Sequence, residues 1–586
     1  MIRSSNSSIL FLETFPDEIL VLICRYLSSI DILYSFYGLN TRLNRTISET
    51  YCHLFLGEVS YQRLKHISSS IIPQIGYNIR TLTISNQLTE NVSKLFLVHF
   101  GQQISVIFSR LKCLTLTELT TDVLSSIIDN LTNLTDLTQL NIYSLNRRNI
   151  NVDGIQILLD KMFSANNSRL DAISYDRDSI PLTIIDQNNP SIYSNIKKLE
   201  IFLERLNDLH HLLTRLPQIQ IIHGILQYES SEFNYTKQYS SVESLIELKL
   251  LSLGYSFNFH ELLSVLNRTT NIETLAIKID NTDDFHLING IHFKSYLSSL
   301  RLKQFHYLVN YTSDSPINRK EILSTWKQFP QQFDCLISDD QNKLILYTIP
   351  INFSHLAIMS AFLKNLLSVQ NNFDRIQSLT LYGAPNLISE VFPILLKCRK
   401  VKYLVFEGDG ELILKSEKEN RLCELNHLTH LSLIRSSIES KSSQELFQSS
   451  PNLFDLNVHF KSLHSLLEQQ SIIHLLEARI THLYIFIIYS DDFEQVRTTV
   501  SRLSAVFKRL KHLYINKRMN DGSFQSLIVP IFNQLTQWSS LISLEIFGLS
   551  DKLQDDIRQW LRNNSPFNEP DSFISDYPKR TCKLWL

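Results

Sequence analysis

Glycine and proline are scarce in this chain, at 13 and 15 of 586 residues. Flexible linkers and low-complexity tracts need far more of both, so long disordered connections are not expected. Neither sign of charge is in excess. Lys and Arg total 56 against 58 Asp and Glu, a formal net charge of −2. A nucleic-acid surface needs a dense Lys/Arg field, and no basic block exists, so nucleic acid is not an expected partner. The cysteines Cys24, Cys52, Cys113, Cys335, Cys398, Cys423 and Cys582 are scattered and form no CxxC pair. That pattern suits reduced thiols in the cytoplasm or nucleus rather than a disulfide framework. Long apolar runs are also lacking. None approaches the ~18–20 residues of a membrane span. Glu13, Asp17 and Glu18 break the early apolar stretch, which therefore makes a poor signal peptide. The expectation is a soluble protein, cytoplasmic and/or nuclear, that does not enter a membrane. Asn-x-Ser/Thr triplets, as at Asn44, Asn130, Asn267 and Asn310, would matter only in a secreted chain.

Signatures of chemistry are absent too. The chain has no GxxxxGKS/T, no GxGxxG after a strand, no HExxH and no GxSxG. No cofactor and no catalytic residue is expected. His427-x-x-His430 lacks a Cys or carboxylate that would complete a metal set, and the column His430, His482, His512 is regular only because the repeat is regular. The acidic pairs Asp339-Asp340, Asp491-Asp492 and Asp555-Asp556 fall in predicted loops, where adjacent carboxylates are usually just solvated.

What the chain does have is hydrophobic residues, 44% of the total, laid out as a repeat. The unit is apolar, two variable, Leu, one variable, apolar. Clear copies begin at Ile79, Leu111, Leu137, Ile196, Leu245, Ile272, Leu302, Ile376, Val401, Leu428, Leu453, Ile480, Leu510 and Leu541. From Ile376 the starts lie 25, 27, 25, 27, 30 and 31 residues apart. Weaker copies near Leu170, Ile219 and Phe333 partly fill the wider early gaps. Alternating apolar positions predict a short strand in each unit. Helical spacing recurs between strands, as at Phe257–Leu266, Leu124–Leu131 and Ser523–Leu535. A strand–helix unit of this length cannot bury its own apolar face and must stack on its neighbours.

This pattern resembles the leucine-rich repeat over roughly residues 79–546. It departs from that family at the ninth position, where Asn or Cys usually caps the turn. Here Ser436, Ala384, Leu119 and Leu549 stand instead. The stretch Trp326–Phe353 fits no repeat, and Lys343–Ile349 predicts an inserted strand or hairpin. The expected fold is therefore α/β: an N-terminal three-helix module at 9–56, an irregular strand–helix solenoid (horseshoe) at 57–550 with an insertion near 326–353, and a C-terminal cap at 551–586. The cap is expected to hold a helix at Leu553–Leu561, a polar loop, and a last strand at Cys582–Leu586.

At the N-terminal end, Pro16 precedes acidic Asp17 and Glu18, a favourable helix start. Ile19, Leu20, Ile23 and Leu27 follow at helical spacing. Ser28, Ser29 or Asp31 caps a second helix with Ile32, Leu33 and Phe36, and Leu39, Leu43 and Ile47 mark a third. These residues resemble the F-box. The matching positions are Phe15, Pro16, Glu18, Ile19, Leu20, Tyr26, Leu27, Asp31, Ile32, Leu33, Arg42 and Leu43, with Phe15, Asn40 and Leu43 departing from the usual Leu, Cys and Trp.

The resemblance implies docking on the Skp-type adaptor of a cullin–RING ubiquitin ligase through Pro16, Ile19, Leu20, Ile23, Leu27 and Leu33. It also implies a protein substrate held by the repeats. Their outward positions predict an aromatic and histidine-rich concave face: Tyr382, Tyr403, His430, His482, Tyr484, Phe486, His512, Tyr514 and Phe547. Such residues suit a protein-recognition hot spot, and equally suit cross-strand stacking that only stabilises the sheet. The competing functional reading is an interaction scaffold with no ligase, its first helices serving only as a cap.

Overall fold

Every one of the fourteen clear motif copies becomes a β-strand that starts two residues after the motif begins. In this computed structural model the described residues are 15–50, 52–57, 59–87, 91–145, 152–184, 191–227, 240–253, 258–298, 300–338, 340–362, 373–383, 394–395, 397–412, 424–438, 440–487, 493–517, 540–547, 574–576 and 581–585. Two compact units are present, Met1–Glu204 with Asp208–Ile225, and Arg205–Asn207 with Leu226–Leu586. The boundary falls inside the stretch expected to form one solenoid.

The first unit opens with α1 (Asp17–Cys24), α2 (Ser29–Phe36) and α3 (Thr41–Thr50). Ser28 caps α2 by accepting from the Asp31 N–H at 3.1 Å. Arg42 ties α3 to the start of α1, donating to Asp17 Oδ1 at 2.8 Å and to the Phe15 carbonyl at 2.7 Å. Leu20, Cys24, Ile30, Ile32, Leu33, Leu43 and Ile47 are buried in this unit's core. Leu39, expected on the third helix, lies before it and is exposed. Strands β1 (His53–Leu56), β2 (Thr81–Ser85), β3 (Cys113–Thr117), β4 (Gln139–Tyr143), β5 (Ala172–Tyr175), β6 (Lys198–Leu203) and β7 (Ile221–Leu226) follow. Successive members pair in parallel from β1 to β6. The weak copies near Leu170 and Ile219 are real strands, β5 and β7.

The second unit continues with β8 (Glu247–Ser252), β9 (Thr274–Thr282) and β10 (Gln304–Thr312), again parallel. The irregular stretch is a hairpin. Strands β11 (Gln332–Ile337) and β12 (Lys343–Ile349) run antiparallel, and β12 pairs antiparallel with β10. The weak copy at Phe333 therefore belongs to this hairpin and is not a repeat. A second sheet starts at β13 (His355–Met359) and runs through β14 (Ser378–Tyr382), β15 (Tyr403–Leu412), β16 (His430–Ile438), β17 (Asp455–His459), β18 (His482–Ile487), β19 (His512–Lys517) and β20 (Ser543–Phe547), all parallel. Strands β21 (Ile574–Asp576) and β22 (Thr581–Trp585) close it antiparallel. The helices expected at Ser523–Leu535 and Leu553–Leu561 and the polar loop after the latter lie outside the described residues, as do Ala384, Leu549, Asp339, Asp491, Asp492, Asp555 and Asp556.

Motif positions four and six are buried in every copy, from Leu82 and Ile84 to Leu544 and Ile546. A fully buried Leu or Ile contributes about 1.5–3 kcal/mol, so the stack is held mainly by these two columns. Connecting helices pack their apolar faces onto them. Helix Phe259–Leu266 buries Leu262, Leu263 and Leu266, and starts in a reciprocal capping box of Asn258 and Glu261. The turn carbonyls are satisfied by an asparagine device at an unexpected place. Asn195, Asn271 and Asn452, each immediately before a motif, donate to carbonyls of Ser168, Glu243 and Asn426 at 2.6, 2.8 and 2.7 Å.

Candidate functional site

The first candidate surface is α1. Pro16 fixes the chain entering the helix, and its carbonyl accepts from Ile19 and Leu20 at 3.0 and 3.1 Å. A helix shows residues three, four and seven apart on one face. Ile19 and Leu22 are so spaced on α1, Tyr26 follows in the turn after it, and the three are exposed to solvent at 39%, 47% and 90%. Pro16 and Leu27 are also exposed, and Ile23 is half-buried beside them. The opposite face of α1, Leu20 and Cys24, is buried. Leu20 and Leu33 therefore cannot be adaptor contacts as expected. Each is only 3% exposed and belongs to the core. Leu22 and Tyr26 are exposed instead. The signal for them was the helical period itself, which runs Ile19, Leu22, Tyr26 as readily as Ile19, Leu20, Ile23. A cleft of ≈ 470 Å³ lies against this module, lined by Val21, Cys24, Leu27, His53, Phe55 and Thr83 among others.

The second candidate surface is the outward face of β14–β20. Register pairing aligns motif position three as one row: Ser378, Tyr403, His430, Asp455, His482, His512 and Ser543. At the spacing of paired strands, rings in one row must stack. Tyr403 and His430 lie with centroids 4.2 Å apart, and His482 and His512 with centroids 4.5 Å apart. Phe454 bridges the two pairs, at 5.1 Å from His430 and 5.6 Å from His482. His482 and His512 are consequently buried, and so are not contact residues of an open face as expected. His430 is half-buried. Their Nδ1 atoms are partnered. His430 and His482 each meet the preceding threonine hydroxyl, at 2.7 and 2.9 Å, and His512 meets Ser543 Oγ at 3.1 Å.

Burial decides the charge of this row. It drives His430 down to about 4, with a smaller push from His482. It takes His482 to about 4, helped by Lys511, and His512 to about 2, helped by His482 and Lys511. Burial also lifts the Asp455 carboxyl to about 7, although His430 Nε2 is 3.5 Å away. The three histidines are thus neutral near pH 7, while Asp455 is close to its midpoint there.

The upper part of the face remains open. Tyr382, Tyr403 and Phe547 are exposed, while Tyr484, Phe486 and Tyr514 are half-buried. Tyr484 and Tyr514 pack with centroids 5.6 Å apart, and Phe486 and Tyr514 at 6.4 Å. This arrangement offers aromatic contact area and hydrogen bonding to a partner, but no nucleophile–base pair. Among the described residues, no group of three or more His, Cys, Asp or Glu side chains could hold a metal ion. Among the described residues, no helix is long and apolar enough to cross a membrane.

No protein-family model matches the chain. No curated protein matches it either. Among solved structures, it is similar to the crystal structure of a Rad7 and Elc1 complex in yeast, at 13% identity and a TM-score of 0.24, over 80% of this chain and 87% of that one. It is also similar to an LRR protein of Leptospira interrogans, at 13% identity and a TM-score of 0.16, over 68% of this chain and 98% of that one.

Proposed function

We propose that this chain is the substrate-receptor subunit of an SCF-type ubiquitin ligase. The module α1–α3 docks a Skp-type adaptor and, through it, a cullin. The outward face of the parallel strands holds a protein substrate. The observation that carries this reading is the exposed apolar stripe Ile19, Leu22 and Tyr26, flanked by Pro16 and Leu27. A clustered apolar surface on an otherwise packed module marks an interaction site. Each such side chain is worth about 1.5–3 kcal/mol on full burial, enough together to anchor an interface. The F-box resemblance of Pro16, Ile19, Tyr26 and Leu27 names the partner class.

The mechanism is proximity. Holding a substrate in one assembly with the conjugating enzyme raises the local concentration of its lysines. This chain then performs no bond chemistry and needs no cofactor. Such a role places it in the cytoplasm or nucleus. The scaffold reading draws on the way α2 packs at β1, where the Phe55 N–H donates to Ser29 Oγ at 3.2 Å, as a cap would.

Adaptor pull-down separates the two. The full chain is expected to retain a Skp-type adaptor, and Ile19→Asp with Tyr26→Ala is expected to abolish retention while circular dichroism stays unchanged. Leu20→Ala instead loosens the helical module. Adaptor binding that survives the Ile19/Tyr26 double change refutes the docking role and leaves the cap.

A further inference from the structure

Two histidines stand at chelation distance in the second unit. His286 lies in the turn Phe285–Leu287, and His292 lies in helix Gly290–Leu297. Their Nδ1 atoms are 3.1 Å apart, and their ring centroids 4.4 Å. We infer that His286 and His292 form a two-imidazole site for a divalent zinc-class metal ion, with its remaining positions open to solvent.

The distance is the first argument. With metal–nitrogen bonds of about 2.0–2.1 Å, a separation of this size corresponds to a ligand–metal–ligand angle of about 98°, between the octahedral and tetrahedral values. The ion would replace the hydrogen bond between the two Nδ1 atoms, each ring turning its lone pair toward the metal. His286 is exposed and His292 half-buried, so both nitrogens are within reach of an ion from solvent.

The backbone beneath the pair is held in place. Asp284 accepts from the Phe259 N–H at 2.7 Å and from the His286 N–H at 2.9 Å, locking the turn to helix Phe259–Leu266. Asn289 accepts from the Ile291 N–H at 3.1 Å at the start of the next helix. The intervening Ile288 carbonyl accepts from the indole N–H of buried Trp326 at 2.8 Å. Gly290 sits where a Cβ would come within 2.6 Å of the Thr325 carbonyl oxygen. Both rings lie against Phe259, His286 tilted at 6.0 Å and His292 edge-on at 5.9 Å. Two ligands presented by a fixed backbone bind with little ordering cost. The same imidazoles on a mobile loop would not.

Zinc chloride in equilibrium dialysis against the untagged full-length chain tests the site. The chain has 18 histidines, so the variants isolate the pair from background binding. His286→Ala and His292→Ala are each expected to weaken the strongest zinc binding by at least about tenfold, the loss typical of disturbing a metal's ligand shell. His427→Ala, at an exposed histidine elsewhere, is expected to leave it unchanged. Zinc is also expected to raise the thermal midpoint of the wild-type chain but not of the His286/His292 double variant, since a ligand of the folded state stabilises it. Zinc affinity unaltered in both single variants, absent in the wild type, or lost equally in His427→Ala overturns the site and leaves the pair as a hydrogen bond between imidazoles.

Discussion

Neutral burial of His482 and His512 makes β18 and β19 acid-sensitive by a calculable amount. Both rings are held well below the ordinary histidine value of 6.5, at about 4 and about 2. The folded state therefore carries fewer protons than the unfolded state once pH drops below 6.5. Stability from each ring is complete above that value and is lost as pH falls through it. Between about pH 7 and pH 5 the unfolded chain gains most of one proton per ring, costing the fold about 1.8 kcal/mol each. Two rings give about 3–4 kcal/mol, the lower figure allowing for coupling between stacked neighbours. Asp455 works in the opposite direction. Its folded value of about 7 lies above the ordinary 3.8, so protonation on acidification restores stability. His430 and Asp455 remain in the variant, so their effects largely cancel in a comparison, less the smaller push that His482 exerts on His430. The perturbation is His482→Gln with His512→Gln, measured by native-state hydrogen exchange of peptides covering β18 and β19 at both pH values. A local probe is needed because a chain of two compact units need not unfold in one step. The wild type should lose about 3–4 kcal/mol more on acidification than the double variant. Equal losses in both would refute the neutral-histidine account.

Two further outcomes follow from packing and from the open face. Trp326 stacks on Phe333 at 4.1 Å between centroids and is fully buried, so Trp326→Ala should cost about 3–5 kcal/mol in denaturant melts; a loss below 1 kcal/mol would show that the cluster around it collapses to fill the space. Tyr484→Ala with Tyr514→Ala should reduce capture of a substrate by the strand face at least about tenfold, the size of a hot-spot loss, with the fold intact by circular dichroism; undiminished capture would assign these rings to sheet stability alone.

The fold was legible because the chain repeats one physical requirement. Positions four and six must be buried in every unit, and a Leu-x-apolar pair states that locally. Single strands such as Lys198–Leu203 would be ambiguous, but register with many equivalents removes the ambiguity. The hairpin was visible as a break in the pattern, yet its antiparallel pairing with β10 was not, since strand polarity leaves no mark on composition. The asparagine device escaped because it sits one residue before the motif rather than at the ninth position. Outward rows were placed on the correct face, but exposure was misjudged. Whether His482 meets solvent depends on His512 and Phe454, which are distant in sequence and adjacent only after stacking. At the helical module, the period marked an apolar helix without saying which of two overlapping stripes would face inward. Packing of α1 against α3 settled that in favour of Leu20, which is buried.

The β11–β12 hairpin has a consequence for how this chain tolerates change in length. In a parallel array, any unit can be duplicated or lost, because each new strand presents the same edge that it covers. Strand β12 runs opposite to β10, and its other edge is already taken by β11, so neither edge is free for a further repeat. Across the break, apolar packing carries the stack onward, from Leu308, Ile345 and Tyr347 to Leu356 and Ile358, with Asn352 hydrogen-bonded both to His306 and to Arg375. Whole-repeat insertions are therefore accommodated among β14–β20, where any neighbour can replace any other. At the hairpin they are not, because every partner there is unique. The hairpin acts as a phase marker that holds the number of repeats on its far side independent of the number before it.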